Sequence, residues 1–209
     1  MKQYSLIILF FIQTSFTFAQ VEYNKCITSD IVKKELEENY DYNIVREKLK
    51  SYNDAQPFNF HKNTIIIPVV VHVVHRSQDN IGANTNISDA QIQDQLRILN
   101  EDYSKTNPEY PNPPRNSFIN YAGDPGIKFC LASVDPNGNP TTGITRTATS
   151  RTSFDADDNI DADAMKKTSS GGINNWDPLR YLNIWVVNLS NSSGGGQTLG
   201  YAYLPGLQG

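Results

Sequence analysis

The strongest apolar run in the chain is Thr64 to Val74, TIIIPVVVHVV, nearly unbroken and rich in β-branched residues. A stretch that is apolar at odd and even positions alike predicts a strand covered on both faces of a sheet. Pro68 has no N–H to give to a ladder, which places part of this strand at an edge or bulge. Upstream, 30–51 is dense in charge, with Ile31, Leu36, Tyr40, Ile44 and Leu49 at roughly helical spacing and Asp30 as a candidate cap. Residues 53–63 are polar, carry Pro57 and read as a linker. Downstream, 88–103 predicts a helix: Ser88 caps it, Gln91 completes a capping box, and Ile92, Leu96 and Leu99 form one apolar stripe.

The rest of the chain reads as short strands broken by turn chemistry. Residues 107–115 hold four prolines and predict an irregular loop. Strands are expected at 126–134, ended by the turn Asp135-Pro136-Asn137-Gly138, and at 143–149. A short helix at 162–168 is closed by Gly171-Gly172, and YLNIWVVNL at 181–189 is a further strand. A Ser/Gly loop at 190–196 leads to a last short strand at 199–204, closed by Pro205-Gly206. No internal repeat is visible. Strands alternating with helices predict an α/β (α+β) domain built on a mixed sheet. The chain stops at Gly209, just past a turn, which reads as a sheet interrupted before its next helix.

Composition narrows the classes. The 209 residues suit one domain plus processing segments. A mean hydropathy of -0.48 fits a soluble protein. A net charge of -4, with no Lys/Arg cluster, argues against nucleic acid as a partner. The first residues differ: Lys2, an apolar run from Ser5 to Ile12, and Thr17-Phe18-Ala19 form a signal peptide cleaved after Ala19. Its apolar run is too short for a bilayer core of about 30 Å, and no later stretch approaches about 18 consecutive apolar residues. The expectation is an exported protein, secreted, periplasmic or on the cell surface, without an integral membrane segment.

Candidate chemistry is sparse. His72 and His75 sit three apart on the predicted strand and point to opposite faces, so they do not share one ion without a bulge; His61 stands alone. Asp155, Asp157, Asn159 and Asp161 alternate like the start of a calcium loop. Ile160 and Lys166 then stand where an EF-hand needs Gly and Glu, and the competing reading is an acidic loop favouring a helix N-terminus. No serine-hydrolase elbow, P-loop or dinucleotide fingerprint occurs. Of the two cysteines, Cys130 lies in an apolar strand and Cys26 in a charged segment; outside the cytoplasm they are able to pair.

Five blocks carry a resemblance: IPVVVHVVH (67–75), ISDAQIQDQLRILNEDYS (87–104), GIKFCLASVDPNGNPTTGITR (126–146), MKKTSSGGINNWDPLRYLNIWVVNL (165–189) and LGYAYLPG (199–206). In order and spacing they resemble pappalysin-type metalloproteases of the metzincin clan, over residues 64–209. The resemblance implies an N-terminal subdomain with a twisted, mostly parallel sheet and a backing helix, truncated before the active-site helix. It implies a zinc endopeptidase parent acting on proteins or peptides, with a domain layout of signal peptide 1–19, prosegment and linker 20–63, and the start of the catalytic domain at 64–209.

By position, Leu199, Gly200, Tyr201 and Ala202 would form the cleft rim on which an extended substrate pairs. Gly200 would allow that backbone to come close. The family's HExxHxxGxxH motif supplies three zinc-binding histidines and a Glu that activates the metal-bound water. Nothing here matches it, so no zinc ligand or catalytic base of the mature site is assigned, and this chain alone is expected neither to bind zinc tightly nor to cleave peptides. Residues 25–42 look like the short prosegment of bacterial relatives, in which a cysteine occupies the zinc. Cys26 would then be the latency ligand, with a Cys26–Cys130 disulfide and a free thiol as the alternatives. Calcium stays a second candidate ion. The rival reading is a non-catalytic exported binding or adhesion module that lacks the metal site; a weaker one is an inhibitor acting through Cys26 on a separate protease.

Overall fold

The computed structural model describes residues 26–55, 64–110, 119–120, 122–192 and 197–204. The signal peptide, most of the linker, His61, the proline-rich loop from residue 111, the middle of the Ser/Gly loop and the Pro205-Gly206 turn lie outside these residues.

The sheet is organised around one strand. β1 (Ile65–Arg76) pairs in parallel with β2 (Ile127–Leu131), β3 (Ile144–Thr149) and β5 (Leu182–Val186). β2 meets the first half of β1, with Ile65 opposite Ile127, and β3 meets the second half, with Val71 opposite Ile144. The backbone bonds from Ile65 N–H to Gly126, from Ala132 N–H to Val69 and from Val71 N–H to Gly143 show that odd-numbered residues of β1 address both. β2 and β3 therefore lie in tandem along one edge, and β5 takes the other from Val69 onward. Among the described residues every pairing between strands is parallel, including the short pair β4 (Phe154–Asp155) and β6 (Leu189–Ser190), while two isolated bridges, Ala83 with Asn86 and Val134 with Pro140, are antiparallel.

The expectation for Pro68 holds for the start of the strand: β1 is central from Val69 onward, while Ile65 to Pro68 pair with β2 on one side and have no ladder on the other among the described residues. Proline is tolerated because its missing N–H points to the side where β5 has not yet begun. Gly143 explains the tandem edge. Its φ is +73°, and a Cβ there would sit 2.7 Å from the backbone nitrogen of Ala132. Only glycine lets the chain enter β3 while touching the end of β2.

Both faces of β1 are covered, as the continuous apolar run requires. Val69, Val71 and Val73 pack with Ile92 and Leu96 of α3 (Asp89–Tyr103) and with Phe129. Val74 packs on the opposite face with Phe154, Ala164 and Met165, and Val70 with Ala132 and Tyr181. Each fully buried valine contributes about 1.5–3 kcal/mol. α3 starts at Ser88, whose Oγ accepts from Gln91 N–H, and its Ile92 and Leu96 face inward as the stripe predicts. Asn100, further along α3, accepts from Phe129 N–H and donates to Phe129 C=O, each at 2.8 Å. Its amide thus stands where a neighbouring strand would pair with β2.

Three further expectations need correction. The single helix at 30–51 is two, α1 (Thr28–Glu38) and α2 (Tyr40–Ala55). Asn39 between them is extended, and its Oδ1 accepts from Tyr42 N–H, starting the second helix as it ends the first. Asp30 is not the cap; it lies in the first turn of α1, and the cap position, Ile27, makes no side-chain bond. The residue that α2 buries is Tyr42, while Tyr40 is exposed. The helix expected at 162–168 starts earlier, as α4 (Asn159–Ala164), because the Asp158 carboxylate caps it through the N–H groups of Ile160 and Asp161. A 3₁₀ turn at Thr168–Ser170 and left-handed Gly171 follow. Finally, residues 199–204 form no ladder among the described residues, so the last expected strand is not assigned there.

Candidate substrate cleft

A groove of about 1290 Å³ opens between β5 and residues 199–204. Its sheet wall includes Leu182, Trp185 and Val187, and its other wall includes Leu199, Gly200, Tyr201 and Ala202. The structure thus brings all four residues of the expected rim into one groove. A Cβ at Gly200 would meet nothing of this chain within 4 Å.

The segment 201–203 is held from two directions. Ala202 donates its backbone N–H to Thr28 Oγ1, at the first turn of α1, over 2.9 Å. On the α4 side, the Tyr201 hydroxyl donates to Ala162 C=O at 3.3 Å and the Tyr203 hydroxyl to Asp163 Oδ1 at 2.8 Å. Burial first, and then the Asp163 carboxylate, push both phenols above their ordinary range. Lys166 reaches the same carboxylate at 2.9 Å; burial pushes its ammonium down and Asp163 opposes this.

Cys26 stands at the entry to α1, exposed, with its thiol donating to Thr28 Oγ1 at 3.1 Å. The Thr28 hydroxyl, and then its backbone N–H, hold that thiol below its ordinary range. The same hydroxyl therefore touches both the cysteine and the rim. Both cysteines are free, so the Cys26–Cys130 disulfide alternative is not formed.

No donor set for zinc assembles from these residues. His72 is fully buried, with Nδ1 2.8 Å from Thr145 Oγ1 and Nε2 3.0 Å from Asn183 Oδ1, so both ring nitrogens are engaged. Its ring lies against Trp176 and Trp185. His75 turns its Nδ1 to the Arg76 carbonyl. Among the described residues no three His, Cys, Asp or Glu side chains are placed to hold a metal ion. Carboxylates of the acidic run are engaged within the chain. Asp161 pairs with Arg151 and accepts from Asp155 N–H, Asp155 accepts from Asp157 and Ser192 N–H groups, and Asp158 is the cap of α4.

Sequence reasoning missed Thr28, Asp163, Lys166 and Tyr203. The i, i+3 spacing of Asp163 and Lys166 and the alternation of Tyr201 with Tyr203 were the available signals.

No protein-family model and no curated protein matches the chain. Solved structures do. A mutant of Tannerella forsythia promirolysin is 36% identical, with a TM-score of 0.65, over 87% of this chain and 54% of its own. Mirolysin in complex with a small compound is 47% identical, with a TM-score of 0.52, over 62% of this chain and 44% of its own. Mature Tannerella forsythia mirolysin in complex with a cleaved peptide is 47% identical, with a TM-score of 0.52, over 60% and 43%. The chain spans about half the length of these structures. Sequence blocks and fold together place it with the pappalysin-type metalloproteases of the metzincin clan, in their N-terminal part.

Proposed function

We propose that this chain is the front of an exported, latent zinc metalloendopeptidase. In that reading, residues 1–19 direct export, residues 20–63 are the prosegment and linker, and residues 64–209 build the sheet and the cleft rim. The substrate is a protein or peptide bound in extended form, by main-chain bonds along Leu199, Gly200, Tyr201 and Ala202. Residues of this chain do not fit a zinc site by themselves, so the metal ligands and the base belong to the part of the parent that its relatives span and this chain does not. No chemical step is assigned to residues of this chain.

The observation that carries the reading is the pattern of coverage. Mature mirolysin matches 60% of the chain and mirolysin with a small compound 62%, and the pro form matches 87%. The added similarity is what a shared prosegment would supply. The contact of α1 with Ala202 fits as well, because it puts the segment carrying Cys26 across the rim. A thiol held below its ordinary range is a good ligand for zinc and would displace a metal-bound water.

The full-length precursor carrying Cys26→Ala should cleave a fluorogenic peptide before its prosegment is removed, and the unaltered precursor should not. Latency unchanged by the substitution would rule out the cysteine ligand. A precursor that stays inactive after prosegment removal would sink the peptidase reading and favour the non-catalytic module.

A further inference from the structure

Residues 199–204 join no ladder among the described residues, yet line the groove. Their place is fixed by side chains. Lys166, whose side chain is 9% exposed, holds its Nζ 2.9 Å from Asp163 Oδ1 and 3.5 Å from the centroid of the Tyr203 ring. Its distance to the Tyr201 ring centroid is 5.5 Å. The two rings meet edge to face, 6.0 Å apart at 87°. Tyr203 donates to the carboxylate oxygen that also takes the ammonium, and Tyr201 donates to the α4 carbonyl of Ala162.

A buried ammonium is tolerated only when its lost hydration is replaced. One carboxylate three residues away would suffice for a lysine that merely steadies a helix end. Here the remaining partners are ring faces contributed by the rim, so the cation's contacts run mostly to the segment and not to α4. The two tyrosines alternate, which sends both side chains to α4 and leaves the main chain between them free on the other side. That side is where Ala202 N–H meets Thr28.

We propose that Lys166 is the positioning residue of the rim: bound to Asp163, it grips Tyr201 and Tyr203 and so presents the main chain of residues 200–202 for pairing with an extended peptide. This rests on the protease reading for its use, but the clamp itself does not require catalysis. An extended peptide can pair with a lone segment only if the segment is held in advance, since ordering it at the moment of binding would weaken the complex. α1 would use the presented N–H first, and substrate would use it after α1 has gone.

The test is site-resolved hydrogen exchange on the 209-residue chain. Lys166→Met keeps the aliphatic stem and removes the charge. It should speed exchange of the Ala202 amide, whose N–H is bonded to Thr28, about tenfold or more and leave β1 unchanged. Lys166→Arg, which keeps a cation able to bind a carboxylate and stack on rings, should stay within about threefold of the unaltered chain. Unchanged exchange in Lys166→Met, or equal acceleration in the two variants, would overturn the proposal. If Lys166→Met fails to fold by circular dichroism, Tyr203→Phe decides: it loses only the hydroxyl bond to Asp163, and exchange of the Ala202 amide must still rise. A parent shown to lack peptidase activity would sink the protease reading while leaving this clamp intact.

Discussion

His72 should make the fold sensitive to mild acid. The imidazole is fully buried in β1, and its neighbours fix its tautomer. Asn183 donates its amide N–H groups to the carbonyls of Trp176 and Tyr181, which turns its Oδ1 toward His72. Nε2 therefore carries the proton, and Nδ1 accepts from the Thr145 hydroxyl. Burial pushes the imidazole below its ordinary value, and the Asn183 contact opposes this only in part. The sign follows from linkage. The unfolded chain takes up a proton near pH 6.5 and the folded chain does not, so stability falls as pH drops below that value and levels off at the folded pKa. The slope is about 1.4 kcal/mol per pH unit, so the loss at pH 5 reaches at most about 2 kcal/mol. At roughly 2–4 °C per kcal/mol for a chain of this size, that is a drop in Tm of up to about 4–8 °C. Urea melts at pH 7.5, 6.0 and 5.0 should be run on the chain and on His72→Gln, which keeps polar atoms without titrating in this range. Surface carboxylates affect both proteins alike, so the difference between them isolates His72. Parallel loss of stability in the two proteins would refute the reasoning.

Two substitutions probe the sheet. Gly143→Ala combines a positive φ with a contact of 2.7 Å to Ala132 N, and should cost more than about 2 kcal/mol in chemical denaturation. Gly138→Ala, also at positive φ but with nothing within 4 Å, should cost only about 1 kcal/mol, and equal costs would refute the role given to the tandem edge. Asn100→Ala leaves Phe129 N–H and C=O without their partner, costs about 1–3 kcal/mol and opens the edge of β2 to other chains. Light scattering should report self-association, and a monomer of unaltered stability would contradict the assignment.

What could be read beforehand followed from periodicity and turn chemistry. The unbroken apolar run announced a strand covered on both faces, and Ser88 with its stripe announced α3, because each is set by neighbours in the chain. The break at Asn39 was harder. A helical spacing carries across it, and only the two hydrogen-bonding roles of that side chain separate the helices. The tandem edge was not legible, since it depends on where residues 126–149 land in space. The rim was placed by resemblance to a family, yet its lack of ladder partners was invisible. An apolar or aromatic alternation such as 199–204 promises a strand, but a strand needs a neighbour. The Lys166–Asp163 pair was not singled out because the tyrosines that bury it come much later in the chain.

The placement of β1 has a kinetic consequence. Ile65 must find Ile127, Val71 must find Ile144, and Val69 must find Leu182, each across a long loop, and β2, β3 and β5 have no ladders with one another. Among the described residues no hairpin joins two strands of this sheet. The entropy of closing large loops has to be met before any pairing stabilises the chain, so the domain belongs among slow folders with high contact order. Until β1 is engaged on both edges, its valine run is an exposed, β-prone segment of low charge, and the interval before it is covered is when the newly made chain is most exposed to aggregation.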